Sequence, residues 1–248
     1  MTSLTPLLHA VVYGDSAYPS GRYTLSHGLE GLVQLGRVSG HEQCGQALVD
    51  HLRHTATPGD GVATALTVLI AEQAGNDEVK QQEALRFLIN LDHELTATKI
   101  TEALRRASTR VGRQTLGVHG EVSQVDGLLS LYSDATMSRQ TPGNQAIVLG
   151  LIHHAHGLCA EEAVGVELIG LSVGWSSAAL RLRQCDHIRA QAMVARTVPL
   201  IDELVKDAVE AARDILDTGD LSQVGRASPG LDLASAEHQF APARLFMS

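Results

Sequence analysis

Hydrophobic positions recur at three- and four-residue spacing along most of the chain, the period of amphipathic helices, and no stretch shows the strict alternation of a half-buried strand. Leu7, Leu8, Val11 and Val12 form the apolar face of a first helix, with Thr5 as its cap and Pro6 at its first position, where a missing amide hydrogen costs nothing. A second helix enters at His27, capped by Ser26, and carries Leu29, Leu32, Val33 and Leu35. Ser39 and Glu42 have the spacing of a capping box ahead of Cys44, Ala47, Leu48, His51 and Leu52. Pro58-Gly59-Asp60-Gly61 reads as a breaker before the apolar run Val62 to Ala71. Asn76-Asp77 breaks again, and a helix through Val79, Leu85, Leu88, Ile89 and Leu91 follows.

The pattern then predicts a polar helix from Asp92 to Gln114 and another from Val122 to Tyr132. Pro142-Gly143-Asn144 opens an apolar helix ending in a histidine cluster, and Ala160 to Arg181 reads as the most buried helix. Asp186 starts a long helix to about Asp217, kinked or interrupted at Pro199. From Gly219 the periodicity fades, and the tail ends with Phe240 and Phe246, two of the three phenylalanines. The expected architecture is all-α: a single-domain bundle of roughly nine or ten helices over residues 1–218 and an extended C-terminal arm over 219–248 that frays or docks.

Composition narrows the class. Hydrophobic residues make up 44% and aromatics 3%, so the core is built from Leu, Val, Ile and Ala, which suits close helix packing. The net charge of −9 argues against a nucleic-acid module, which usually carries a basic stripe. Arg105, Arg106, Arg110 and Arg113 are the main local basic feature and read as a solvated face, with Glu102 and Arg106 as an i, i+4 pair. Cys44, Cys159 and Cys185 are far apart and form no CxxC pair, which suits a reducing compartment and a cytoplasmic protein. No charged segment followed by an apolar core marks a leader. The stretches 145–160 and 163–180 are interrupted by histidines, glycines, serines and Glu167, and read as buried helices rather than membrane spans.

Candidate chemistry is sparse. GxxxxGK[ST] is absent, so no P-loop is expected, and there is no GxSxG elbow. Imidazoles suit nickel or zinc, and His153 and His156 stand i, i+3; His154 faces elsewhere, and no carboxylate or thiolate completes a set on that turn. Cys185-Asp186-His187 is a second soft-ligand group, although Asp186 is better explained as a helix cap. A helical nickel-binding carrier using the histidine cluster is therefore the alternative reading.

The densest run of backbone-specific residues is DSAYPSGRYTLSHGLE, from Asp15 to Glu30. It contributes Asp15, Ser16, Pro19, Gly21, Ser26, His27, Gly28, Leu29 and Glu30 to the pattern D-S-x-x-P-x-G-x-x-x-x-S-H-G-L-E, which resembles the N-terminal signature of the UreF family of urease accessory proteins. Arg105, Ser108 and Gly112 resemble that family's R-x-x-S-x-x-x-G helix. Val148, Gly150, Gly157, Leu158 and the run Ser177 to Leu182 form a third block, and the ending Arg244-Leu245-Phe246-Met247-Ser248, with His238 before it, matches the family's closing R-L-F-x-S. Gln184 to His187 and Ala236-Glu237 depart from the pattern.

The resemblance implies a non-enzymatic helper in nickel insertion. Its partners would be the accessory protein UreD (also called UreH), the GTPase UreG and apo-urease, and it would form a homodimer. GTP hydrolysis would belong to the partner. No cofactor would be stably bound, and nickel would be handled transiently by the complex. The arm would order on UreD through Leu245 and Phe246 as apolar anchors, with Arg244, His238 and Ser248 as further contacts. Arg181 would face the GTPase-containing side. His27 and Glu30 are the polar side chains of the opening signature with room for a direct role, and its other members read as fold-setting.

Overall fold

The computed structural model describes residues 3–225, 228–241 and 243–247, and among them there is no strand. The α-helices are α1 (Thr5–Gly14), α2 (Leu29–Gln34), α3 (Gly40–His51), α4 (Val62–Ala74), α5 (Glu78–Thr98), α6 (Glu102–Val122), α7 (Gly127–Met137), α8 (Gln145–Ala155), α9 (Ala160–Arg181), α10 (His187–Thr218) and α11 (Pro229–His238). A π-helical segment, Leu52–Gly61, joins α3 to α4, and short 3-10 turns lie at Arg22–Thr24 and Leu221–Gln223.

The core forms where α9 runs against α10, with α4 packed on both and α8 on α4 and α9. Trp175 of α9 is fully buried and donates its indole N–H to the Cys44 carbonyl at 3.0 Å, tying α9 to α3. Leu48, Leu52, Leu66, Leu88, Leu91 and Ile147 are likewise withdrawn from water, each worth about 1.5–3 kcal/mol. Glycine sets the close crossings: a Cβ on Gly150 would press on the Thr67 side chain of α4, and one on Gly112 would overlap the Gly143 carbonyl. α9 is long and apolar enough, by length and composition alone, to cross a bilayer, yet it packs as the buried helix its interruptions predict. Here 56% of its apolar window is buried as the central helix of the bundle.

Several boundaries differ from those the sequence predicts. Pro58-Gly59-Asp60-Gly61 does not break the chain; it lies inside the π segment, so α3 and α4 form one continuous rod. Pro58 has no N–H to give an α ladder, and the wider turns accommodate it. Gly59 and Gly61, without side chains, let the rod pass close to Gly225, Val164 and Ala208. The break placed at Asp92 falls instead at 99–101, because Thr101 caps α6 and Asp92 is a core residue. The helix placed from Val122 begins at Gly127. Residue 4, not Thr5, is the cap position of α1, and the reach-back to Ser39 N–H comes from Gln43 (2.8 Å) rather than Glu42. Asp186 does cap α10, accepting from Arg189 N–H at 2.8 Å, and Pro199 lies within that helix without ending it.

Candidate partner-docking site

The Asp15–Glu30 stretch is a sequence of local hydrogen bonds. Asp15 accepts from Ala17 N–H at 2.8 Å and so closes the turn after α1. The Pro19 carbonyl accepts from Gln114, anchoring the loop to α6. Gly21 and Gly28 have φ of +83° and +88°, the left-handed region that favours glycine. His27 sits there too, at φ +54°, an uncommon conformation for a residue with a side chain. The expected helix start at His27 therefore moves to Leu29, and Ser26 Oγ accepts from Glu30 N–H at 3.4 Å. Ser16 lines a small pocket with Arg22, Tyr23, His27 and Arg181.

Glu30 is where this stretch meets the end of the chain. Its carboxylate is 1% exposed and takes a hydrogen bond or ion pair from His238 Nε2 at 2.7 Å. It also accepts from the backbone N–H groups of Leu245 (2.8 Å) and Phe246 (3.0 Å). Gln34 bridges Glu30 to the Ala243 carbonyl, and Met247 N–H reaches the Thr24 carbonyl at 3.0 Å. A Cβ on Gly28 would press on Leu231, and one on Gly31 would overlap the Ala234 carbonyl, so α2 and α11 meet with almost no separation.

Arg181 completes the dock. Its guanidinium lies 3.9 Å from the Phe246 ring centroid and 4.0 Å from that of Tyr23, and it donates to the Tyr23 carbonyl at 2.6 Å. A planar cation between two aromatic faces is a favourable arrangement. Of the expected anchors, Phe246 is buried at 4% while Leu245 is 68% exposed, and Arg244 and Phe240 also face solvent. Ser248 lies outside the described residues.

The UreF family model matches residues 38–198. The urease accessory protein UreF 2 of Brucella canis is 26% identical over 246 residues, covering 99% of this chain and 93% of that protein. The urease accessory protein UreF of Yersinia pestis (strain Pestoides F) is 26% identical over 241 residues, 97% of each chain. The chain belongs to the UreF family. The two chain ends that the dock joins lie outside the matched residues of this UreF-family chain, while Arg181, which completes it, lies inside them.

Next to the dock the UreF-family bundle holds a partly open cavity of about 100 Å³. His27, His51, Asp60, Lys99, Gln145 and Glu167 line it, and Ser108 and Thr55 add hydroxyls. Lys99 pairs with Asp60 at 2.8 Å; Gln145 donates to Glu167 at 2.7 Å, and Arg22 reaches Glu167 at 3.5 Å. Burial pushes the Glu167 carboxyl up, against the pull of Arg22. Burial also holds His27 down to about 3 and His51 down to about 4, so both imidazoles are neutral at pH 7. Both are half-buried and line the cavity, and His27 also borders the small pocket beside Arg181. Ser108 Oγ, Thr55 Oγ1 and His51 Nδ1 have no protein hydrogen-bond partner there.

The histidine cluster is dispersed in the fold. His153 points into the core with neither ring nitrogen hydrogen-bonded, while His156 stacks on His9 of α1 at 3.6 Å between centroids. Tyr13 Oη and His119 Nδ1 lie 2.6 Å apart beside them. Among the described residues no group of three or more His, Cys, Asp or Glu is placed to hold a metal ion. The other residue that sequence reasoning missed is Asp92. It is 0% exposed and accepts from Tyr132 (2.7 Å), Thr141 (2.5 Å), Gly143 N–H (2.6 Å) and Asn144. Its local sequence, an acid at the end of an apolar run, carries no mark of that burial.

Proposed function

We propose that this chain serves urease maturation as a non-enzymatic scaffold, acting with a UreD-type accessory protein to recruit the GTPase UreG for nickel delivery to apo-urease. Family membership supports the maturation role. The observation that carries the scaffold reading is the Glu30 dock: a terminal arm held by a few bonds, with Leu245, Phe240 and Arg244 turned outward. Outward apolar side chains on a lightly held segment offer a partner both anchor points and a handle. Nickel is cargo of the assembly in this reading, and GTP hydrolysis is the partner's. The test is co-expression of the full chain with UreD, UreG and urease subunits. Removing Arg244 to Ser248 is expected to abolish co-purification with UreD and nickel-dependent urease activation; unchanged activation sinks the reading.

Pairing of two copies is supported by α1. Leu7, Leu8, Val11 and Val12 were expected to form its apolar face, and they do, but the face is turned outward at 51–62% exposure. The inner side of α1 carries His9 and Tyr13 against the imidazoles of α8 and α6. Apart from His9, α1 has no ionisable group except the Tyr13 phenol, so the face suits its own copy across a two-fold axis. Sedimentation of Leu8→Glu is expected to show monomer where the parent chain shows dimer.

A further inference from the structure

The cavity wall is not uniform. Most of it comes from elements fixed in the core: His51, Thr55 and Asp60 on the α3–π–α4 rod, Ser108 on α6, Gln145 on α8 and Glu167 on α9. One side is different. Gly225, Leu231 and Asp232 belong to the segment after α10. That segment packs on α2 and the start of α6. Its ties are Gly225 N–H to the Pro58 carbonyl at 2.7 Å, Ser235 to Thr101 at 3.1 Å, and His238 to Glu30 at 2.7 Å. Beyond it, the arm adds the Leu245 and Phe246 amides on the same carboxylate and Phe246 on Arg181.

The lining also mixes two chemistries. Leu25, Leu104, Ala107, Leu171 and Leu231 give it apolar wall, and imidazoles, carboxylates, Lys99 and unpartnered hydroxyls give it polar wall. The unpartnered Ser108, Thr55 and His51 atoms are groups that a water in a space of this size would satisfy.

We propose that the C-terminal segment is a removable wall: releasing the arm from Glu30 opens the His27–His51 chamber to water and small polar solutes. This goes beyond partner binding, because the opening is a property of the isolated chain. The arm and the chamber are coupled through one lever, α11, whose far end is held at Glu30 through His238 and whose near end supplies Leu231 and Asp232 to the cavity wall. Whatever takes the arm also uncovers the interior.

The experiment is imidazole modification by diethyl pyrocarbonate at pH 7 on the full chain, read residue by residue by mass spectrometry. His27 and His51 are neutral there, which is the reactive form. A locked form is Thr101→Cys with Ser235→Cys in a Cys159→Ser background, oxidised to join α6 to α11. A released form is His238→Ala with Phe246→Ala. Modification of His27 and His51 is expected to rise at least tenfold in the released form and to fall below the parent rate in the locked form. His54 and His187, exposed elsewhere, are expected to react equally in all three. His153, buried away from the chamber, reports general loosening. Equal rates at His27 and His51 in the locked and released forms overturn the proposal. If His153 rises in parallel in the released form, the locked form decides: no slowing there relative to the parent overturns it as well. Because no partner is present, failure of the UreD pull-down leaves this outcome unaffected.

Discussion

Asp92 and Glu30 are the same chemical device used for opposite ends. Each is a buried carboxylate at the centre of donors, 0% and 1% exposed. Asp92 collects its partners from residues 132 to 144, all on elements locked in the bundle, and so fixes the start of α8 against α5 and α7. Glu30 collects His238, Leu245 and Phe246 from the end of the chain. Losing the first set requires the core to open. Losing the second requires only α11 and the arm to lift. A buried carboxylate is thus a rivet or a latch according to whether its donors can leave together.

Asp92→Ala is the sharpest way to break the comparison. It strands the Tyr132 hydroxyl, the Thr141 hydroxyl and the Gly143 amide in the core, and is expected to cost roughly 3 kcal/mol or more by denaturant unfolding. If the loss is under about 1 kcal/mol, Asp92 is no rivet. Acid comes next. His27 and His51 titrate near 3 and 4 in the fold against about 6.5 in the unfolded chain, so below 6.5 the unfolded chain takes up the protons and stability falls with pH. Each imidazole is expected to contribute about 1.4 kcal/mol per pH unit down to its folded value, and His51→Gln should flatten the slope. Glu30→Gln is expected to move global stability by less than about 2 kcal/mol while the Leu245 and Phe246 amides lose at least tenfold in hydrogen-exchange protection. Equal global losses for Glu30→Gln and Asp92→Ala would erase the distinction. The smallest effect is Arg181→Lys. An ammonium replaces the planar guanidinium between Tyr23 and Phe246, expected to cost about 0.5–1 kcal/mol and to show first as faster exchange of the arm.

Much of the architecture was legible because it rests on local chemistry. Asn144 and Asp186 stand where α8 and α10 begin, and the bounds of α9 follow the apolar run. What was not legible depends on distance. The partners of Asp92 lie some forty to fifty positions away and those of Glu30 beyond two hundred, so each reads locally as an ordinary acid. Proline and glycine at 58–61 signal the end of an α-helix, but not the wider helix that can absorb them. The outward turn of α1 is invisible for a related reason: periodicity gives a face, not its direction. The family pattern did hold one clue. Its first and last blocks, farthest apart in the chain, meet at Glu30, with Arg181 of the third block between Tyr23 and Phe246.

The π segment Leu52–Gly61 has a consequence for changes in chain length. Within an α-helix, inserting or deleting one residue swings everything downstream by about 100°. Applied to α4, that swing would turn the buried Thr64 and Thr67 away from α8. A turn that is already over-wide can give up a residue by relaxing to the α ladder, leaving the helices on either side in register. Here the rod between Cys44 and Ala74 has its slack, in the stretch that also supplies Thr55, Gly59 and Asp60 to the chamber wall. Length variation in this rod is therefore expected to concentrate at 52–61, and to alter the volume of the chamber before it alters the fold.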